Sequence, residues 1–357
     1  MNYGLILAGG RGTRFWPRSR KRSAKQVLNV VGERSLIQAT VDRLAPIIAP
    51  ERIWILTNDY LRDAIVRQLP EVPKRQILAE PMQRNTAPAI GLAAHILHSL
   101  DSDAVMGVFP SDHVIGKPGT YRATLRTAFK GAAAGRLMVA GIPPRWPETG
   151  YGYIEFPRQA LKANGAGAIL PVQKFHEKPE LAKAKRYLAA GNYYWNSGMF
   201  FWRADVLLDE LRRHLPKTAT LLAALPRFGT RAFDPELRGA FPLCDNISID
   251  YAVLEKSGNV SGIPAADFGW NDVGSWNAVY ELLPRDGCGN VIARESVCLD
   301  AYHNFVDARG KTVALVGVRD LIVVDTPDAL LVASREHAQQ VGEIVKVLEK
   351  QGRNELL

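Results

Sequence analysis

Between Tyr3 and Ile142, short β-type runs alternate with amphipathic helical segments, and this alternation limits the possible folds more than any other feature of the chain. The strand candidates are Tyr3 to Leu7, Arg52 to Thr57, Gln76 to Ala79, Ala104 to Phe109 and Leu137 to Ile142. Helical stretches lie between them at Ser35 to Leu44, Asp59 to Leu69, Thr86 to Leu100 and Tyr121 to Ala133. The alternation predicts an α/β fold, a mostly parallel sheet covered by helices on both faces. In such sheets ligands gather at the carboxyl ends of the strands. The loop after Leu7, the pair Glu80-Pro81 and the run Pro110-Ser111-Asp112-His113 all fall there.

The middle of the chain, Gly150 to Pro284, mixes strand-like runs (Tyr151 to Phe156, Val172 to His176, Gly198 to Trp202) with helices. It reads as an extension of the same domain that closes over the site. From Gly287 the texture changes to short β runs at Asn290 to Ala293, Thr312 to Val318, Leu321 to Asp325 and Ala329 to Ala333, followed by a helix from Arg335 to Lys350. Val341, Ile344, Val345 and Leu348 give that helix one apolar stripe for packing. The expected division is therefore 1–284 and 285–357, the second unit being a small β module with a docking helix.

Leu7, Ala8, Gly9, Gly10, Arg11, Gly12, Thr13 and Arg14 read LAGGRGTR, and Lys25-Gln26 follows in the same basic stretch. Glycines after a strand let the backbone approach an anion and turn its amides inward, while Arg14 and Lys25 add fixed positive charge. The loop lacks the Gly-Lys-Ser/Thr ending of a Walker A loop, and Phe15 stands where the dinucleotide fingerprint needs glycine. A tight turn with a solvated basic tail would carry the same residues.

Asp112, at a strand's carboxyl end, can hold a divalent cation against triphosphate oxygens, or can simply cap the next turn. Asp272, in Gly269-Trp270-Asn271-Asp272-Val273-Gly274-Ser275-Trp276, is a second candidate, with an Asx-turn residue as the plainer alternative. Thr86 reads as an N-cap with Pro88 in the first helical turn, which leaves Glu80 and Arg84 unexplained. A carboxylate aimed at a purine edge could accept both N1-H and N2-H2 of guanine, and adenine offers no such donor pair. Glu177, Lys178 and Asn196 could read sugar hydroxyls and a phosphate, although each taken singly fits a surface loop. In Gly150-Tyr151-Gly152-Tyr153 a ring could pass close to the backbone. None of the seven histidines pairs with a serine or cysteine in a nucleophile motif, so covalent catalysis has no support.

The formal net charge is +9, and one dense basic cluster runs from Arg11 to Lys25. Because the cluster begins inside the glycine loop, a polyphosphate ligand explains it with fewer assumptions than a nucleic-acid backbone does. Cys244, Cys288 and Cys298 are odd in number and form no metal or redox spacing, which fits a reducing compartment. The chain enters its first strand by Tyr3 without a leader and has no stretch long enough for a bilayer, so a cytoplasmic location and no membrane partner are expected.

Together these segments resemble the sugar nucleotidyltransferases, and most closely the mannose-1-phosphate guanylyltransferases. The carrying blocks are LAGGRGTR, Lys25-Gln26, EPMQRNTAPAI (Glu80 to Ile90), FPSDH (Phe109 to His113), TGYGYIE (Thr149 to Glu155), FHEKP (Phe175 to Pro179), WNSGMF (Trp195 to Phe200), SIDYAVLEK (Ser248 to Lys256) and NDVGSW (Asn271 to Trp276). The resemblance implies a Rossmann-like nucleotidyltransferase domain followed by a short left-handed β-helix, and the reaction of GTP with mannose 1-phosphate to give GDP-mannose and pyrophosphate. It implies that Arg14 and Lys25 grip the phosphates and that Asp112 and Asp272 hold Mg2+. Leu7, Ala8, Gly9, Gly10, Gly12, Thr13, Glu80, Arg84, Asn85, Thr86 and Ser111 would bind the nucleotide. Gly152, Glu177, Lys178 and Asn196 would bind the sugar phosphate. A homodimer is compatible with it. Many bacterial relatives continue into a phosphomannose isomerase domain, so a chain stopping at Leu357 is expected to lack isomerase activity. A guanylyltransferase for another sugar 1-phosphate, such as heptose or fucose, and a non-catalytic regulator that binds nucleotide sugars are the remaining alternatives.

Overall fold

The computed structural model describes residues 1–292 and 296–357. Its central sheet is built on parallel strands Ile77–Glu80, Ile53–Asn58, Asn2–Leu7 and Val105–Pro110, adjacent in that order. Leu7 stands in register with both Leu56 and Pro110, so the carboxyl ends line up along one edge of the sheet. Side chains alternate between two cores. Leu5, Leu56, Met106 and Val108 point into one, and Ile6, Ile55, Val105 and Phe109 into the other. Burial on both faces explains why these strands read as continuous apolar runs. Helices Leu36–Leu44, Asp59–Gln68, Thr86–Leu100 and Pro118–Ala133 form the crossovers, the first opened by a capping box between Ser35 and Gln38.

The middle region does more than close over the site: it supplies strands to the sheet itself. The aromatic-rich strand Tyr193–Arg203 inserts antiparallel between Val105–Pro110 and Leu137–Ile142, and Val260–Pro264 extends the sheet beyond them. Trp195, Phe201 and Trp202 are almost fully buried, which holds that strand in the interior.

Beyond Leu283 the chain winds into two parallel stacks. Val291–Ile292, Phe305–Asp307 and Leu321–Asp325 pair in one, with Leu330–Ser334 antiparallel at its edge, and Ser296–Leu299 pairs with Val313–Val316 in the other. Buried Asn290 and Asn304 stack as a ladder, Asn304 Nδ2 donating to Asn290 Oδ1 at 3.0 Å. This is the β-helix geometry. The expected strand from Asn290 to Ala293 is present at Val291–Ile292, and Ala293 lies outside the described residues. The final helical stretch is 3₁₀ at Arg335–Gln340 and α at Val341–Lys350.

The tail does not pack on itself alone. Val341 and Val345 share a core with Phe15, Trp16, Trp276, Tyr280 and Phe305. Neither core of the main sheet draws on any residue beyond Trp270. A 1–286 fragment is therefore expected to keep the sheet, by far-ultraviolet circular dichroism, yet to lose at least about 100-fold in turnover as Phe15, Trp16 and Arg14 lose their support. A fragment as active as the full chain would separate the tail from the site, and one that cannot fold at all would move the proposed boundary at residue 284.

Candidate active site

The glycine loop leaves the sheet at Leu7 and is held from below. Gln26 Nε2 donates to the Ala8 carbonyl at 2.7 Å and to the Gly10 carbonyl at 3.0 Å. Gly12 sits at φ +60°, and a Cβ there would lie 2.6 Å from Lys25 Cβ, so this position needs glycine both for its conformation and for its space. Gly9 and Gly10 instead border a cavity of about 490 Å³ shared with Leu7, Glu80, Asn85 and Thr86. Six of the residues expected to bind the nucleotide thus meet in one place.

The other five do not line this cavity. Ala8 and Ser111 are buried and contribute backbone, with Thr40 Oγ1 donating to the Ser111 carbonyl at 3.2 Å. Gly12 packs on Lys25, and Thr13 lies under the C-terminal helix at Gly342. Arg84 turns its guanidinium to the Pro242 carbonyl. Thr86 is not the N-cap: Asn85, at φ +63°, caps the helix by accepting from the Thr86 N–H at 2.9 Å, which frees Thr86 Oγ1 to accept from the Ile249 N–H. Gln83 and Asn246 also line the cavity and had no distinguishing sequence signal.

Glu80 is the titratable group of this cavity. Burial pushes its carboxyl up to about 8, and no hydrogen bond or neighbouring charge offsets that cost. Both donors of a guanine edge require the ionised form, so at pH 7 binding must first remove a proton. Affinity for GTP is expected to strengthen about tenfold from pH 7 to pH 9, as the ionised fraction rises through that value. Calorimetric titration at both pH values checks this, with Glu80→Gln expected to show no such change.

On the other side of the loop, Lys25 joins two distant segments. Its buried ammonium donates to Asp112 Oδ2 and to the Asp272 carbonyl, each at 2.8 Å. Burial works against the Asp112 charge, yet the Lys25 ammonium and the hydrogen bond it makes outweigh it and hold the carboxyl below its ordinary value. Asp112 is thus an ion-pair partner of Lys25. The Asx turn belongs to Asn271, whose Oδ1 accepts from the Val273 N–H at 2.7 Å, while Asp272 Oδ1 accepts from the Tyr151 hydroxyl at 2.6 Å. Burial and the Asp272 carboxylate push Tyr151 far up, so it remains a donor. Val273, buried and β-branched, sits at φ +49°, a strained conformation of the kind that clusters at functional sites. Among the described residues no group of three or more His, Cys, Asp or Glu forms a ready metal cage. Two carboxylates beside the glycine loop have the chemistry for Mg2+, which takes one or two carboxylates and completes its shell with substrate phosphates and water.

Arg14, Tyr151, Trp195, Trp270 and Asp272 line a larger cavity of about 920 Å³. Near it the four expected sugar-phosphate residues come together. The Gly152 carbonyl accepts from the Asn196 N–H at 2.7 Å, and a Cβ on Gly152 would stand 2.4 Å from Glu177 Oε2. That oxygen is buried with no partner, and Lys178 Nζ reaches the other carboxyl oxygen at 3.5 Å. Burial and the neighbouring Asp250 push Glu177 up to about 7. Asp250, which accepts from Asn196 Nδ2 at 3.0 Å, was not distinguished within its sequence block.

A glycine loop at the carboxyl edge of a parallel sheet, flanked by two cavities of ligand size and by a lysine-aspartate junction, defines an enzyme that handles nucleotide phosphates. Residues 3–286 match the nucleotidyl transferase family model, and residues 294–348 match that of the MannoseP isomerase/GMP-like beta-helix domain. The chain belongs to the nucleotidyl transferase family. It is 41% identical over 355 residues to the xanthan biosynthesis protein XanB of Xanthomonas campestris pv. campestris (strain B100), covering 98% of this chain and 74% of that protein. It is 39% identical over 364 residues to the mannose-1-phosphate guanylyltransferase of Escherichia coli (strain K12), covering 99% and 74%. The crystal structure described as mannose-1-phosphate geranyltransferase from Thermus thermophilus superposes with a TM-score of 0.85 at 34% identity, covering 98% of this chain and 99% of that one. Among the described residues no helix is long and apolar enough to cross a membrane.

Proposed function

We propose that the chain transfers GMP from GTP to mannose 1-phosphate, releasing pyrophosphate and leaving GDP-mannose. The observation that carries this reading is the unpartnered Glu80 carboxyl at the edge of a nucleotide-sized cavity beside Gly9 and Gly10. A phosphate oxygen of the sugar phosphate attacks the α-phosphorus, a new P–O bond forms, and the bond to the β-phosphate breaks with its electron pair leaving on pyrophosphate. The attacking phosphate is largely dianionic at pH 7, so no protein base is needed. Arg14 and Lys25 hold and neutralise the departing charge, and Glu177, with its buried free oxygen, accepts from a sugar hydroxyl. Mg2+ held by Asp112 and Asp272 would supply a Lewis acid to the phosphate oxygens.

The test is a turnover panel crossing GTP, ATP, UTP and TTP with mannose, glucose, fucose and heptose 1-phosphates, with and without excess chelator. GTP with mannose 1-phosphate is expected to be the best pair, and activity is expected to vanish in chelator. A different best sugar replaces mannose in this reading, and no turnover with any pair removes it.

A further inference from the structure

The basic cluster that opens at Arg11 is divided between two tasks. Arg11 Nη2 meets Glu349 Oε1 at 2.6 Å, Arg18 holds Asp307 Oδ2 with hydrogen bonds of 2.9 and 2.6 Å, and Arg20 Nη2 meets Asp328 Oδ1 at 2.9 Å. Trp16 Nε1 adds a bond of 3.0 Å to the Leu356 carbonyl. Every one of these partners belongs to the β-helix or to the segment behind it. Those arginines spend their charge on carboxylates.

Arg14 is treated differently. Its Nη1 donates to Gln339 Oε1 at 2.7 Å, a neutral partner, although this guanidinium too is held by the tail. Both residues line the large cavity with Asp272. The backbone supports the contact: a Cβ on Gly342 would lie 3.3 Å from Thr13 Oγ1 and 3.4 Å from Arg14 Cγ, so the C-terminal helix lies directly against the loop. An amide oxygen takes one guanidinium N–H and fixes its direction. The charge and the remaining donors stay available for a ligand.

We propose that Gln339 is a positioning residue for Arg14, aiming the guanidinium into the large cavity without neutralising it, so that the C-terminal segment completes the phosphate grip. This rests on the assignment of Arg14 to the departing pyrophosphate. It separates two properties that a carboxylate in the same place would confuse. Gln339→Glu keeps the contact and cancels the charge; Gln339→Leu keeps the charge and loses the contact.

The experiment measures pyrophosphate binding in the presence of Mg2+ by calorimetry, and steady-state kinetics, on the full-length protein. Gln339→Leu is expected to weaken pyrophosphate binding and lower kcat/KM for GTP by about three- to tenfold, the scale of one hydrogen bond. Gln339→Glu is expected to cost more, at least about tenfold, as for a charge-assisted contact. The KM for the sugar phosphate and the melting temperature are expected to stay near wild type. In an Arg14→Ala background, Gln339→Leu is expected to add nothing, because the group it aims is gone. Equal loss in both backgrounds, or wild-type pyrophosphate binding in Gln339→Glu, overturns the proposal. Wild-type protein that binds pyrophosphate but turns over no GTP with any sugar 1-phosphate of the panel instead overturns the functional reading. Wild-type protein that does not bind pyrophosphate overturns both.

Discussion

Lys25→Met is expected to lower kcat/KM by at least about 100-fold while leaving the protein folded. Lys25 is buried between two segments that the chain brings together from far apart, donating to the Asp112 carboxylate and to the Asp272 carbonyl. Its removal takes away the charge beside the glycine loop and lets both aspartates drift from the places the ammonium defines. Methionine keeps the length and the apolar stem, so its contact with Phe15, over whose ring the ammonium lies at 5.4 Å, is retained in kind. Asp112→Asn is expected to suppress turnover more than it weakens nucleotide binding. Because the two side chains form one ion pair, the double variant is expected to lose less than the product of the single losses. Kinetics on the three proteins, with melting curves as the folding control, decide the matter. A folded Lys25→Met protein with near-wild-type kcat/KM would remove this residue from the site, and strictly multiplicative losses would show that the pair does not act as a unit.

The parallel half of the sheet was legible because its strands are buried on both faces and separated by crossover helices, so that hydrophobic runs and helical stripes alternate cleanly. Val260–Pro264 escaped because Gly262 and Pro264 weaken a strand reading, and Tyr193–Arg203 was seen only in part because its antiparallel insertion reverses the order that alternation suggests. At the site, residues within one sequence block were found together with their neighbours, as with Glu80, Asn85 and Thr86. The cap moved by one residue because Asn85 adopts positive φ, where a short amide side chain reaches the next N–H. The basic cluster reads in sequence as serving one polyphosphate, and in the structure its arginines divide between the tail and the site. Composition carries no information about direction, and Arg11, Arg18 and Arg20 face carboxylates more than 280 residues further along the chain. Gln339 and Asp250 were invisible for the same reason: their meaning comes from Arg14 and Asn196, which tertiary packing alone brings to them.

Base selection is the largest effect expected of a single residue. Glu80 meets no protein partner, so its carboxyl gains hydrogen bonds only from a ligand. Guanine presents N1-H and N2-H2 side by side, and an ionised carboxylate can accept from both. Above the value of about 8 to which burial raises Glu80, the N1 acceptor of adenine would face the carboxylate lone pairs and leave a half-buried charge unpaired, whereas below it the protonated carboxyl can donate to N1 and accept from the 6-amino group. A site built for a hydrogen-bonding group can reject the analogue that lacks it by roughly 10⁴-fold, so GTP is expected to exceed ATP in kcat/KM towards that scale at pH 9, where Glu80 is ionised, and by less at pH 7. Inosine triphosphate keeps N1-H and loses the 2-amino group, and is expected to fall between them. Glu80→Gln offers one amide oxygen and an opposing NH2, so the preference for GTP is expected to shrink while turnover of ATP rises or stays level. The measurement is kcat/KM for the three nucleotides with mannose 1-phosphate at pH 7 and pH 9, on both proteins. ATP or UTP matching GTP in the wild type would sink the guanylyl assignment. A full preference surviving in Glu80→Gln would move selectivity away from the carboxylate to Gln83, Asn85, Thr86 and Asn246, the other polar residues around the same cavity.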